Sequence, residues 1–179
     1  MGAQSTSGAP APCGIYPCKP GGYNDYVYIF CSRANPEHWT RLLKVIGREE
    51  LIEDPRFATN EERNKNEGFI IEILTEWTKN HTKEEAMQII GAAGVPAGAV
   101  HDTLELQNDL SFEKRGIMQT IQHPTTGAVK MPAWPVRFDG TPPRVKPSPL
   151  LGEHSAEVLS GWLGMAPQEI EALRQEGIV

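Results

Sequence analysis

The spacing of apolar positions changes several times along the chain, and each change marks an element. Residues 1–12 are small, polar and punctuated by proline and glycine without any apolar repeat, which predicts a loop or linker that takes its conformation from elsewhere. Two apolar runs, residues 15–19 and 26–31, then flank Pro20-Gly21-Gly22, the composition of a turn between paired strands. In the second run Tyr26, Tyr28 and Phe30 alternate with Val27, Ile29 and Cys31, so that both faces of that strand are apolar.

A helical period follows. Asn35-Pro36 supplies a cap and a proline suited to the first turn, and Trp39, Leu42, Leu43 and Ile46 fall at i, i+3, i+4 and i+7 before Gly47. Residues 48–54 read as a short helical turn ended by Pro55, because proline disfavours helix at the residue before it. Thr59 or Asn60 opens a longer helix with a buried stripe of Phe69, Ile70, Ile73, Leu74 and Trp77, while its first half, Glu61 to Glu67, is a charged run expected to face water. Thr82 with Glu85 has the spacing of a capping box, and Ala86, Ile89, Ile90 and Ala93 form the apolar face until Gly94 stops the helix.

Val95-Pro96-Ala97-Gly98 turns the chain into an extended piece through Val100, and residues 104–108 make one more helical turn. Residues 117–123 and 128–131 read as strands joined by Pro124-Thr125-Thr126-Gly127, with residues 136–138 as a third short strand. Residues 140–149 carry four prolines and two basic residues, the composition of an extended connector. Ser155 precedes a helix with Val158, Leu159, Trp162 and Leu163 on one side, and Pro167 starts a last helix with Ile170 and Leu173 before Gly177. Helices this short need a docking partner, because nucleation is costly.

Together these elements predict an α+β fold: a small antiparallel sheet packed with several helices, then a Pro-rich connector and two C-terminal helices. The divisions expected are 1–12, 13–139 and 140–179. With 179 residues, 39% of them hydrophobic, the chain can bury a core of its own. A formal charge of -6 excludes a phosphate-neutralising surface and hence a nucleic-acid partner. No apolar stretch approaches the roughly 20 residues of a membrane span, and the first ten residues lack the basic start and apolar run of a signal peptide. A cytoplasmic protein with no membrane partner is expected. Cys13, Cys18 and Cys31 form an odd set with no C-x-x-C pair, which argues against a disulfide framework and a closed zinc site.

Candidate chemistry is sparse. The dinucleotide, P-loop, zinc-protease and nucleophile-elbow signatures are all absent. His38, His81, His101, His123 and His154 are scattered singly and read as surface or structural histidines rather than bases. Cys13 and Cys18 lie near Lys19 but have no histidine close in sequence, and Cys31 sits in an apolar strand. Glu153-His154, in the loop Leu150-Leu151-Gly152-Glu153-His154, admits two readings. Either side chain could hydrogen-bond a ligand or a neighbouring subunit, or Glu153 meets a helix dipole while Ser155 caps that helix. Nothing in the chain is assigned as a catalytic residue or metal ligand.

One ordered set of motifs resembles a known family. Asp54-Pro55-Arg56-Phe57-Ala58-Thr59-Asn60 is followed by Arg63 and Asn66, then Ala93-Gly94-Val95-Pro96-Ala97-Gly98, Arg115-Gly116, His123-Pro124, Pro135-Val136-Arg137-Phe138 and Pro149-Leu150-Leu151-Gly152-Glu153-His154. In this order they resemble the C-terminal half of family III CoA-transferases, the family of formyl-CoA transferase, carnitine and bile-acid CoA-transferases and 2-methylacyl-CoA racemases. The resemblance implies a small domain and tail whose partner is a doubly wound large domain carrying the aspartate that becomes acylated. It also implies an interlocked homodimer, acyl-CoA and carboxylic acid as substrates, and no cofactor beyond the coenzyme A thioester itself.

The stretch matching the family's glycine-rich loop over that aspartate contains Ser7, Gly8, Ala9 and Pro10, which become the candidate substrate-loop residues, with Glu153 and His154 behind them. Only one glycine stands where formyl-CoA transferase has a run. Asn35 occupies the position where racemase-type members carry glutamate, and an amide cannot serve as a carboxylate acid/base. A transferase is therefore favoured, inactive without the large domain. A CoA-linked racemase or dehydratase, and a non-catalytic binding or scaffold module, remain as alternatives.

Overall fold

The structure, a computed structural model, describes residues 10–179 and divides into two compact units meeting at Thr103 and Leu104. In the first, β1 (Cys13–Pro17) and β2 (Tyr26–Phe30) form the expected antiparallel hairpin, with Cys13 opposite Phe30 and Pro17 opposite Tyr26. Strand β3 (Ala97–Ala99) adds antiparallel to the other side of β2, giving the order β1-β2-β3. Side chains alternate across a strand, and this alternation sends Val27 and Ile29 fully into the core. Tyr28 on the opposite face is 40% exposed and stacks on Phe30 at 6.5 Å. Both faces of β2 are thus apolar in composition, but only the Val27 and Ile29 face is buried.

That face is covered by helices. Helix α1 (Glu37–Val45) buries Trp39, Leu42 and Leu43 as its period predicts. Pro36 occupies its cap position, and Asn35 contributes its Oδ1 as acceptor for the Glu37 N–H at 3.2 Å. Two 3-10 turns follow, Glu49–Leu51 and Pro55–Phe57. The second, absent from the sequence-based expectation, places Phe57 between the rings of Trp39 and Phe69 at 5.8 and 5.6 Å. The single long helix expected after Thr59 is instead two, α2 (Asn60–Lys65) and α3 (Glu67–Thr78). At the break, the Asn66 side chain donates to the carbonyls of Arg56 and Glu62 at 3.1 and 2.9 Å, competing with the helical ladder.

Helix α4 (Lys83–Ala92) starts with the predicted capping box: Thr82 Oγ1 accepts from the Glu85 N–H at 3.1 Å, and Glu85 Oε2 from the Thr82 N–H at 2.8 Å. Its buried face is narrower than expected, holding Ala86 and Ile90 but leaving Ile89 exposed. Lys83 is buried, and its ammonium donates to the carbonyls of Asn24 and Val100 at 3.2 and 2.8 Å, joining the β1–β2 turn to the residue after β3.

Helix α5 (Thr103–Asn108) starts on the last residue of the first unit, and the second unit continues with an unforeseen α6 (Leu110–Lys114), whose start is capped by Asp109 Oδ1 accepting from Ser111 N–H at 2.7 Å. Strands β4 (Met118–His123) and β5 (Gly127–Pro132) form a separate antiparallel hairpin. Residues 136–138 do not form the expected third strand; a lone bridge between Phe138 and Thr141 is all that survives. Pro135 before this stretch, and Pro142 and Pro143 after it, lack the N–H a ladder requires.

The Pro-rich stretch carries no helix or longer strand, and Gln119 tethers it: its Nε2 donates to Pro143 O at 2.8 Å and its Oε1 accepts from Val145 N–H at 3.0 Å. Helices α7 (Ser155–Leu163) and α8 (Pro167–Gln175) follow, with Ile170 buried while Trp162 and Leu163 are exposed. The packing break at residue 103 therefore precedes the compositional change at residue 140. Composition registers prolines, whereas packing registers which strands share a sheet. Among the described residues, no helix is long and apolar enough to cross a membrane.

Candidate functional site

Of the candidate loop residues, Ser7, Gly8 and Ala9 lie outside the described residues. Pro10 is the first one described, and it is buried together with Ala11 and Pro12. The end of this stretch is therefore part of the core rather than a free linker. Both hydrogen-bonding groups of Ala11 are taken by side chains of α2. Its N–H donates to Asn64 Oδ1 at 2.8 Å, and its carbonyl accepts from Arg63 Nε at 3.2 Å. Next along the chain, Pro12 O accepts from Cys31 N–H at 2.9 Å, continuing the β1–β2 pairing.

Arg63 is the buried exception to the expectation that the charged run faces water. It is 7% exposed, whereas Glu61, Asn64 and Lys65 beside it are exposed. Its Nη1 donates to Phe57 O at 2.8 Å, its Nη2 to Asn60 Oδ1, and its guanidinium lies 5.6 Å from the Trp39 ring centroid. Burial lowers its pKa from the ordinary value. Its hydrogen bonds go to carbonyl and amide oxygens on three chain segments, which suits the fixed fork of a guanidinium better than a point charge.

The motif from Asp54 to Asn66 turns out to be a mutually braced corner. Asp54 Oδ1 accepts from the Arg56 N–H at 2.9 Å, and the Arg56 guanidinium beside it holds the carboxyl below its usual range. Arg56 also lies over Phe57 and Phe69, at 5.2 and 5.5 Å, and Thr59 Oγ1 accepts from the Glu62 N–H at 3.1 Å. These residues shape the seat of Ala11 and supply no reacting group.

In the second unit the Glu153 and His154 loop closes on itself. Glu153 Oε2 accepts from Leu150 N–H at 2.7 Å, and Ser155 N–H donates to Gly152 O at 3.1 Å. Glu153 is thus a loop brace; Ser155 is the first residue of α7, and His154 holds the cap position without a capping bond from its side chain. Gly152 has φ +74°, open to glycine at little cost. A concavity of about 390 Å³ is lined by Pro149, Leu150, Glu153, His154, Val158 and Val179. His154 Nδ1 is 3.4 Å from Glu157 Oε2.

Three other histidines have structural tasks. His38 Nδ1 accepts from Ser32 N–H at 3.2 Å, His81 stacks on Trp77 at 4.0 Å, and His123 Nδ1 accepts from the N–H groups of Thr125 and Thr126 in the β4–β5 turn. Burial pushes the Cys18 and Cys31 thiols up to about 11 and about 12, which disfavours the nucleophilic thiolate. Nothing in the sequence marks Asn64, Lys83 and Gln119, because each acts on main-chain groups that leave no side-chain signature.

Comparison with known proteins supplies what the geometry lacks. A family model described as CoA-transferase family III matches residues 1–155. The chain is 34% identical over 175 residues to formyl-CoA:oxalate CoA-transferase of Streptomyces avermitilis, an alignment covering 98% of this chain and 42% of that protein. It is 30% identical over 171 residues to succinyl-CoA–D-citramalate CoA-transferase of Chloroflexus aurantiacus, covering 94% and 41%. A crystal structure of a CAIB/BAIF family protein from Brucella suis superposes with a TM-score of 0.71 at 28% identity, covering 90% of this chain and 39% of that one. The chain therefore spans about two fifths of the length of these relatives.

Proposed function

Because the chain belongs to CoA-transferase family III, we propose that it is the C-terminal portion of an enzyme moving CoA between an acyl-CoA thioester and a carboxylic acid. The observation carrying this reading is the alignment of 98% of the chain, at 34% identity, with a formyl-CoA:oxalate CoA-transferase of which it spans 42%. The reacting aspartate belongs to the large domain, outside this chain. Its carboxylate attacks the thioester carbonyl, an acyl-aspartyl anhydride forms and CoA leaves as the thiolate. The thiolate then attacks the aspartyl carbonyl, giving an aspartyl-CoA thioester and releasing the donor carboxylate. The acceptor acid attacks in turn, and CoA passes to it.

This chain's share is to place the residues before Ala11. Ser7, Gly8 and Ala9, with the buried Pro10 at their base, would cover the thioester and keep water from the anhydride, which hydrolysis would waste. The buried, doubly held Ala11 supports this reading, since a covering segment needs a fixed root. Glu153 and His154 are the second candidates for contact with substrate or the large domain. The enzyme would act in the cytoplasm as an interlocked homodimer. Asn35 favours transfer over racemisation: its amide accepts from Glu37 N–H and offers no carboxylate for proton abstraction.

The test has two arms. Purified alone, the 179-residue chain should give no turnover with formyl-CoA and oxalate or with succinyl-CoA and a dicarboxylic acid. Joined to a large domain, the complete enzyme should transfer CoA, and Gly8→Val should slow it while leaving its folding intact. Turnover by the isolated chain above a heat-treated control would refute the reading.

A further inference from the structure

We propose that Asp139 is a site of spontaneous main-chain modification, where the aspartyl carboxyl closes on the Gly140 nitrogen to a succinimide that water reopens as isoaspartate. This chemistry belongs to the chain itself and does not depend on the transferase reading.

Three features single out this residue. Asp139 is the only aspartate or asparagine in the sequence that precedes a glycine. Ring closure brings the following nitrogen against the side chain, and glycine has no Cβ to obstruct it. The other four aspartates each hold a carboxylate oxygen in a hydrogen bond: Asp25 accepts from Gly22 N–H, Asp54 from Arg56 N–H, Asp102 from the Tyr23 hydroxyl and Asp109 from Ser111 N–H. Among the described residues, nothing holds the Asp139 carboxylate in this way. Arg137 beside it donates instead to the carbonyls of Gly140 and Arg115.

The turn supplies the third feature. Asp139 has φ +49° and Gly140 φ +76°, and Thr141 N–H donates to Phe138 O at 2.9 Å, which makes a type I′ turn. Among the described residues, Asp139 alone of the non-glycines has positive φ. Turning over the one peptide between Asp139 and Gly140 converts this turn into its II′ relative. Asp139 keeps its positive φ, and only Gly140 changes sign, at little cost to glycine. The same move carries the Gly140 nitrogen around Asp139 Cα, through the position from which it can meet Cγ. Both residues are exposed, so the flip disturbs no core.

Water is the only co-reactant. The Gly140 nitrogen loses its proton and attacks Cγ of the protonated carboxyl; the N–Cγ bond forms, the Cγ–OH bond breaks, and the hydrogen and hydroxyl leave as water. Water then adds either at Cγ, restoring aspartate, or at the main-chain carbonyl carbon, leaving the chain to run through Cβ and Cγ. The isoaspartyl link lengthens the main chain by one carbon, so the bridge between Phe138 and Thr141 is lost.

The experiment incubates the purified 179-residue chain near neutral pH at body temperature. Trypsin then releases residues 138–144, and chromatography with electron-transfer fragmentation separates the isoaspartyl form, unchanged in mass, from the succinimide, lighter by one water. Isoaspartate should accumulate at position 139 several-fold faster than at Asp25, Asp54, Asp102 or Asp109, and about as fast as in a synthetic peptide of residues 135–144. In the modified fraction, amide exchange at Thr141 should accelerate, since its acceptor is displaced. Gly140→Ala should slow the reaction several-fold in the chain and in the peptide; the peptide arm separates the obstruction by Cβ from the strain of alanine at φ +76°. Absence of isoaspartate at 139, or formation no faster than at the other aspartates, would overturn the proposal. So would a folded-chain rate far below that of the peptide, because the turn would then keep the nitrogen away from Cγ.

Discussion

Replacing Arg63 by Met should destabilise the first unit by about 3 kcal/mol, and the figure follows from its partners. The change keeps an unbranched stem against Trp39 but leaves the carbonyls of Ala11 and Phe57 without their donor. A buried acceptor stripped of its partner costs about 1–3 kcal/mol, so two cost about 2–6. Asn60 Oδ1 is only partly buried and can turn to water, so it adds little. Relief of the guanidinium's own desolvation offsets part of the loss, which places the net near the lower middle of that range. Arg63→Lys should fall between native and Met, because a single ammonium cannot reach acceptors on three segments. Urea unfolding followed by tryptophan fluorescence and far-UV circular dichroism measures this. With a slope of about 1.5 kcal/mol per molar urea for a unit of this size, the midpoint should drop by about 2 M. A Met variant within about 0.3 M of native at the same slope would show that the buried guanidinium holds nothing together.

Thr82→Ala removes half of the α4 capping box and should cost about 1 kcal/mol, with faster amide exchange at Glu85; equal exchange would contradict the cap. The Glu85 carboxyl is held below its ordinary range by the Thr82 N–H and by Lys19. Its contribution is therefore present above the unfolded-state carboxylate pKa and lost as pH falls through the lower folded value, and Glu85→Gln should flatten that acid-side dependence of the Thr82 amide's protection. Of the thiols, Cys13 should react with an aromatic disulfide reagent in the native chain at pH 8, while the buried Cys18 and Cys31 should react only after unfolding, as mass spectrometry would resolve; equal rates would refute their burial. In the isolated chain, amides of residues 150–179 should exchange faster than those of 26–100, because Trp162 and Leu163 are left uncovered; equal protection in a proven monomer would count against this.

What the sequence reveals here is local. Thr82 and Glu85 announce a helix start because both halves of the box sit within one turn, and the β4–β5 hairpin is visible from its turn residues. Arg63 and Lys83 are invisible for the opposite reason: they bind carbonyls of Ala11 and Asn24, 52 and 59 residues away, and a basic residue among charged neighbours looks like a solvated one. The split between α2 and α3 turns on the Asn66 amide preferring two carbonyls to solvent, a choice that periodicity does not encode. Of the candidate site, Ser7, Gly8, Ala9 and Pro10 are marked by family resemblance, whereas the grip on Ala11 shows only in the fold.

That grip falls on atoms every amino acid possesses. Asn64 and Arg63 bind the N–H and the carbonyl of residue 11 rather than its side chain. The hold is therefore indifferent to the chemistry of the side chain at position 11, within the space its burial leaves. One substitution is barred. Proline at position 11 would delete the sole main-chain donor of residues 10–12, so Ala11→Pro should lower the thermal midpoint of the chain while Ala11→Ser keeps most of it.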